Sequence, residues 1–572
     1  MVPNLMNRIG HPTTACKTGV TPVLLAVMLC GLTLGAEVTP KRLNESRSEP
    51  HNWLSYYGSY DAWRYSELDQ VNRGNVKKLI PVWTFQTGEI DGGLQSSPIV
   101  VDGVMYITGA WNRVFAIDAV TGEELWHYYH PRTEEIPGLY GTWNRGVAVG
   151  HGLVFMGTLD NKLVALDAES GREVWQVEIE NAKQCGCNIT GAPLLVKDKI
   201  VTGVTGGDSA HRGYISAFDA KTGRQAWRFW TIPGPGEPGN DTWKGDSWKF
   251  GGGSSWITGS YDPELDILYW GVGNPAADFY GESRKGDNLY TDSIVALDPD
   301  TGKLIWHYQE IPYDVWDWDS AYEIVLVDLE YGGEKRNLLV NPNKGGFTWV
   351  LDRTDGKFIN AWPLADNIDW ISGIDENGRL LDRKEPKVGE TIKMCPSIGG
   401  GRSWNHGAYS PKTGWFYTTG IEWCQEVLSR AEEPREGMTY FGGEFTLAHT
   451  DKGEPGGHLS AYDPITGEQH WRIRHKYPLL ASQLATAGNL LFTGDATGKA
   501  FALDAETGKE LWSFRTGSGI RSSPMTYAVN GRQYVAIPSG WGSALAGLIT
   551  QLWPEAEDFP SGATLFVFAL PE

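Results

Sequence analysis

The sequence is poor in cysteine, with six in 572 residues, and none of them stands in a Cys-x-x-Cys-His motif. Covalent c-type haem is therefore not expected. Positive charge is also scarce. The chain has 49 Lys and Arg against 70 Asp and Glu, a net charge of −21, which disfavours nucleic acid or an anionic membrane surface as partner. Beyond the N-terminal segment no stretch is long and apolar enough for a membrane helix, so no membrane span is expected in the mature chain. Glycine, with 71 residues, and tryptophan, with 26, are abundant, as in a turn-rich β-protein.

Residues 1–36 read as a secretory signal: Arg8 and Lys17 precede the apolar run Val23–Leu34, and Leu34-Gly35-Ala36 supplies the small residues of a cleavage site. An uncleaved anchor is the alternative. Export predicts a periplasmic protein that can oxidise its four remaining cysteines. Cys395 and Cys424 flank a hairpin-like segment and are the expected disulfide. A bridge within Cys185-Gly186-Cys187 would close a very small ring, so these two are expected to be free or paired elsewhere.

The dominant internal signal is a repeat, Ala-x-Asp-x-x-(Thr/Ser)-Gly-x-x-x-Trp. Copies run from Ala116 to Trp126, Ala165 to Trp175, Ala217 to Trp227, Ala296 to Trp306, Val350 to Trp362, Ala461 to Trp471 and Ala502 to Trp512, and a degenerate eighth ends at Trp83. In each, the Asp and Thr can bond a tight turn whose Gly takes positive φ. The Trp on the following strand can then lie between two sheets, its N–H on a carbonyl. The pattern predicts an all-β, eight-bladed β-propeller occupying residues 37–572 as a single domain.

Chemistry-bearing candidates lie between the repeats. They are Gly245-Asp-Ser-Trp-Lys249 with the glycines before Trp256, Gly273-Asn-Pro-Ala276, Gly286-Asp-Asn-Leu-Tyr-Thr-Asp292 and Asp314-Val-Trp-Asp317. Alone, each fits an ordinary propeller loop. Together with the docking repeats they resemble the pyrroloquinoline-quinone (PQQ)-dependent alcohol dehydrogenases, the methanol and ethanol dehydrogenase family, from about Trp53 to the C-terminus.

The resemblance implies a role for particular residues. Trp256 matches the floor beneath the planar quinone; Arg145, Thr190, Thr205 and Gly206 match contacts to its carboxylate-bearing edge. Gln95 stands where a Glu is usual, Lys344 matches the cation on the quinone oxygens, and Asn405 and Trp541 match further ring-edge contacts. Asn274 and Asp317 match a metal ligand and the active-site base, and Asp208 takes the place of a ligand Glu. Where the family has two adjacent cysteines over the ring, this chain has Leu139 and Tyr140, so Tyr140 is the expected cover. Asp319, two residues past the base, is an extra candidate ligand of the kind the family associates with a lanthanide. Calcium is the expected metal and a lanthanide the alternative.

The mechanism implied is metal-assisted oxidation of an alcohol to the aldehyde or ketone: Asp317 takes the hydroxyl proton as hydride passes to the quinone. Electrons would then leave to a separate carrier, expected to be a c-type cytochrome. The rival readings are a quinoprotein acting on sugars, polyols or other larger alcohols, and a non-catalytic propeller that only binds partners. The substrate is not legible, because the pocket rim comes from long loops such as 359–398 and 425–457.

Overall fold

The computed structural model describes residues 37–132 and 141–572. Residues 1–36, the expected secretory signal, and Tyr140 lie outside the described residues. Apart from short helical turns the described chain is all-β. It contains seven sheets of four strands and one of five, and the strands within each are antiparallel apart from one added edge.

One sheet explains the rest. Its strands are Ile99–Val101, Val104–Gly109, Arg113–Asp118 and Glu124–Tyr129. The second strand is buried along its whole length because both faces meet neighbouring sheets, whereas the fourth is mostly exposed and turns Trp126 inward. The repeat's Asp-Thr-Gly forms the hairpin before that fourth strand. Asp118 Oδ1 accepts from the amides of Val120 at 2.9 Å and Thr121 at 2.8 Å, and Gly122 takes φ 79°.

Trp126 donates its indole N–H to the Ala168 carbonyl of the next sheet at 3.0 Å. A Cβ on Gly171, in that sheet's turn, would come within 2.4 Å of the indole, so the glycine is required by the stacked ring as well as by its φ of 68°. The same bond recurs from Trp175 to Ala220, Trp227 to Pro299, Trp306 to Arg353, Trp362 to Pro464 and Trp471 to Ala505, at 3.0–3.2 Å. Trp512 donates to Leu79 at 3.2 Å, and Leu79 leads directly into strand Ile80–Gln86. That strand pairs antiparallel with Thr564–Ala569, so a strand from near the start of the described chain completes its last sheet. The degenerate copy shows its weakness here: Trp83 packs on Gly122, but its N–H has no partner.

Two long insertions add a small sheet of Thr391–Met394, Cys424–Ser429 and Gly443–Ala448. The expected Cys395–Cys424 disulfide ties its base. The expectation for Cys185 and Cys187 is corrected: they are bonded to each other. Gly186, in the left-handed region at φ 61°, caps the short helix Ala182–Cys185 and folds the chain back so that the two sulfurs meet. The Asn161 amide donates to Cys187 Sγ at 3.3 Å. Among the described residues no helix is long and apolar enough to cross a membrane.

Removing a docking element should destabilise without altering any cavity. Gly356→Ala would place a methyl 2.5 Å from Trp306 on a residue with φ 75°, and about 1–3 kcal/mol should be lost from the strained backbone alone. Trp306→Phe, which deletes only the N–H donor and part of the ring, is expected to cost less, about 1 kcal/mol for the hydrogen bond. Chemical denaturation measures both, and a Gly356→Ala protein as stable as the parent would refute the docking account.

Candidate active site

The loop after strand Leu304–Gln309 is shaped by Asp314, whose carboxylate accepts from the amides of Trp316 at 3.0 Å and Trp318 at 2.8 Å. Both indoles are fully buried and anchor the loop in an aromatic cluster with Trp349 and Trp370. Between them Asp317 adopts φ 64°, a region an Asp tolerates at some cost. The consequence is an alternation: the two tryptophans face the core, and Asp317 and Asp319 face a cavity.

Lys344 faces these acids from the turn after strand Glu334–Pro342. Its Nζ donates to Asp317 Oδ1 at 2.8 Å and Asp319 Oδ2 at 3.1 Å. Burial works against the ammonium, but the two carboxylates outweigh it and hold the lysine well above its usual range. The other oxygen of Asp319 accepts from the Trp256 indole at 3.3 Å.

On the opposite side Gly206-Gly207 brings in Asp208. A Cβ on Gly207 would lie 2.3 Å from Asn274 Oδ1, so glycine permits the close approach that sets the shorter Asp beside Asn274. Asn274 Nδ2 lies 3.1 Å from both Asp208 Oδ1 and Asp278 Oδ1. Oxygens of Asp208, Asp278 and Asp317 can all be found within 4.8 Å of one another. Burial, then the neighbouring carboxylates, drives Asp278 well above the ordinary carboxylate range. Asp317 is raised as well, chiefly by burial, with Lys344 opposing and Asp208 adding to the shift.

A cavity of about 150 Å³ joins this acidic end to Arg145, Thr190, Thr205, Gly206 and Trp256. Arg145 donates to Thr190 Oγ1 and lies over the rings of Trp256 at 4.8 Å and Trp404 at 4.5 Å. Burial pushes its guanidinium down to about 10. A second cavity of about 320 Å³ shares Arg145, Trp256, Asp317, Asp319 and Lys344, and adds Gln95 and an apolar wall of Ile398, Phe441, Phe445, Leu545 and Leu548.

Of the residues singled out in the sequence, Asn405 and Trp541 line neither cavity. Asn405 donates to the Arg521 carbonyl at 3.2 Å, and Trp541 packs against Phe559. Tyr140 lies outside the described residues. Sequence reasoning missed Asp278, two residues past the Gly273–Ala276 motif, and Trp143, two before Arg145, which lines both cavities. Their signal was position alone, adjacency to a motif already in hand.

The residues present suit a hard cation beside a planar, carboxylate-bearing ring. Three acids share one space, and Asn274 Oδ1, Asp278 Oδ2 and Arg145 Nε are buried without partners. The family described as "PQQ: Glucose/ethanol/alcohol dehydrogenase, beta-propeller domain" matches residues 53–365 and 472–535. Quinoprotein alcohol dehydrogenase PedH of Pseudomonas putida is 37% identical over 579 residues, covering 97% of this chain and 96% of the relative. Among solved structures, quinohemoprotein alcohol dehydrogenase ADHIIG from Pseudomonas putida HK5 superposes with TM-score 0.88 at 35% identity, over 94% of this chain and 83% of that one. A europium-containing methanol dehydrogenase superposes with TM-score 0.87 at 34% identity, over 93% and 100%.

The chain belongs to the PQQ-dependent alcohol dehydrogenases. These are oxidoreductases acting on alcohols. In this quinoprotein the loop carrying Asp317 owes its shape to one buried carboxylate. Asp314→Ala should therefore cost about 1–3 kcal/mol, the price of two orphaned amides, and should speed hydrogen exchange at Trp316 and Trp318. Unchanged protection at both amides would show that the tryptophans alone hold the loop.

Proposed function

We propose that the chain is a periplasmic quinoprotein alcohol dehydrogenase. On this reading residues 1–36 are a cleaved leader and 37–572 form one propeller whose eight docked sheets are its blades. The observation that carries the catalytic reading is the meeting of Asp317, Lys344, Trp256 and Arg145 in one cavity beside a cluster of acids.

Trp256 and Arg145 would hold the PQQ ring and its carboxylate edge, with Thr190, Thr205 and Gly206 along the same wall. Asp208, Asn274 and Asp317 would hold the cation, with Asp278 orienting Asn274. When bound, the quinone supplies the acceptor for the hydride leaving the alcohol carbon, and the cation supplies Lewis-acid polarisation. Asp317 accepts the hydroxyl proton at its carboxylate as the C–H bond breaks, leaving the aldehyde or ketone. Lys344 holds Asp317 in place and supplies positive charge at the reacting end. On this reading the electrons pass to an external carrier, a c-type cytochrome.

Calcium and a lanthanide both fit hard oxygen donors. The donors Asp208 and Asp317 balance a divalent ion, and the third acid of the cluster, Asp278, adds negative charge beside them that favours the trivalent lanthanide. The apolar wall of the larger cavity favours an alcohol with an apolar substituent over a sugar or polyol.

Asp317→Asn keeps the size of the side chain and removes its basicity. It should bind the quinone yet lose alcohol-dependent dye reduction by at least about a hundredfold at saturating metal. Retention of most of the turnover would remove Asp317 from the role of base.

A further inference from the structure

Most buried arginines among the described residues give their terminal nitrogens to carboxylates or carbonyls, even where Nε is left without a partner, as in Arg284 and Arg402. Arg402 is held by Glu323 at 2.9 Å and by the Asn405 carbonyl at 2.7 Å, and Arg353 by Asp262 at 2.7 Å. Arg64, which has no carboxylate, gives its nitrogens to carbonyls, among them Gln483 at 2.9 Å. Arg521 is different. It is 3% exposed, and its Nε and Nη1 have no hydrogen-bond partner.

Its surroundings make this costly. Arg521 lies over Trp404, 5.6 Å from the ring centroid, and Arg145 lies over the same ring at 4.5 Å with its own Nε unpaired. Burial lowers Arg521 to about 9, and the like charge of Arg145 acts in the same direction while Tyr322 opposes. Two guanidiniums share an indole and line the cavity of about 320 Å³, and among the described residues neither is bonded to a carboxylate. Such an arrangement is stable in a buried site only when an anion arrives to satisfy it.

We propose that Arg521 is the second guanidinium of a carboxylate-binding pair with Arg145, and that its ligand is a carboxylate of the quinone cofactor. This rests on the functional reading above. The cofactor is chosen over an acidic substrate because Arg145 also lines the inner cavity with Trp256, so one polycarboxylate seated there is within the province of both cations. A carboxylate gripped from two sides by guanidinium forks is held in charge-assisted bonds and fixed in orientation.

The test uses full-length apo-enzyme titrated with PQQ and followed by tryptophan fluorescence, for the parent, Arg521→Met and Arg521→Lys. Arg521→Met should weaken quinone binding at least tenfold, and Arg521→Lys should recover part of the loss. The melting temperature of the Arg521→Met apo-protein should rise, because an unpaired buried charge is replaced by an apolar chain of similar length; a residue with a merely structural role would lower it. A second arm compares, at saturating quinone, kcat/KM for an ω-hydroxy acid and for the neutral alcohol of equal length. The ratio should be the same in parent and variant. Equal quinone affinity in parent and Arg521→Met overturns the inference alone. A tenfold fall in the acid-to-alcohol ratio with quinone affinity intact overturns it in favour of a substrate carboxylate. No quinone binding to the parent overturns it together with the functional reading.

Discussion

Three carboxylates that share one buried space repel one another, and the architecture of the site follows from how that repulsion is contained. Two like unit charges about 4 Å apart at an effective dielectric near 20 oppose each other by about 4 kcal/mol. Lys344 answers part of it, bonded to Asp317 and to Asp319. Arg145 and Arg521 have the opposite problem, carrying nitrogens that nothing among the described residues satisfies. The cavity is therefore polarised, acids at one end and guanidiniums at the other. A cation together with an anionic ring resolves both halves at once. Neither ligand alone would.

Holding such charges together requires a frame that does not relax. The indole-to-carbonyl bonds running from sheet to sheet, closed by Trp512 on Leu79 and by the pairing of strand Ile80–Gln86 with the last strand, supply that frame. Site residues sit on the loops between those sheets, each loop pinned by its own buried group. Asp314 and the flanking tryptophans fix Asp317; Gly207 sets Asp208 against Asn274; the Cys185–Cys187 bridge lies just before Asn188 and Thr190 on the cavity wall. Positive φ at Asp317 is a local cost that this frame can bear.

What could be read in the sequence followed from regularity. The docking tryptophans and their glycines were legible because one physical solution, a ring stacked on a bare turn, recurs at fixed spacing. The cavity residues Arg145, Thr190, Trp256, Asp317 and Lys344 were legible through motifs with unusual combinations of residue types. Asp278 was not, since an Asp in a turn is commonplace and only burial beside Asp208 gives it meaning. Arg521 looked like any arginine, because an unpaired guanidinium is a property of its surroundings. The Cys185–Cys187 pairing was misjudged because ring size alone was weighed, without the left-handed turn that Gly186 allows. The apolar wall, built from segments near 398, 441–445 and 545–548, is brought together only by the fold.

The central claim is that the acidic cluster is a cation site coupled to quinone binding. Calorimetric titration of lanthanum and of calcium into metal-free enzyme, with and without the quinone, tests it most directly. The account predicts one tight site per chain, tighter for lanthanum than for calcium and tightened further by the quinone. Absence of stoichiometric binding of either ion, or binding indifferent to the quinone and to Asp208→Ala, would contradict it.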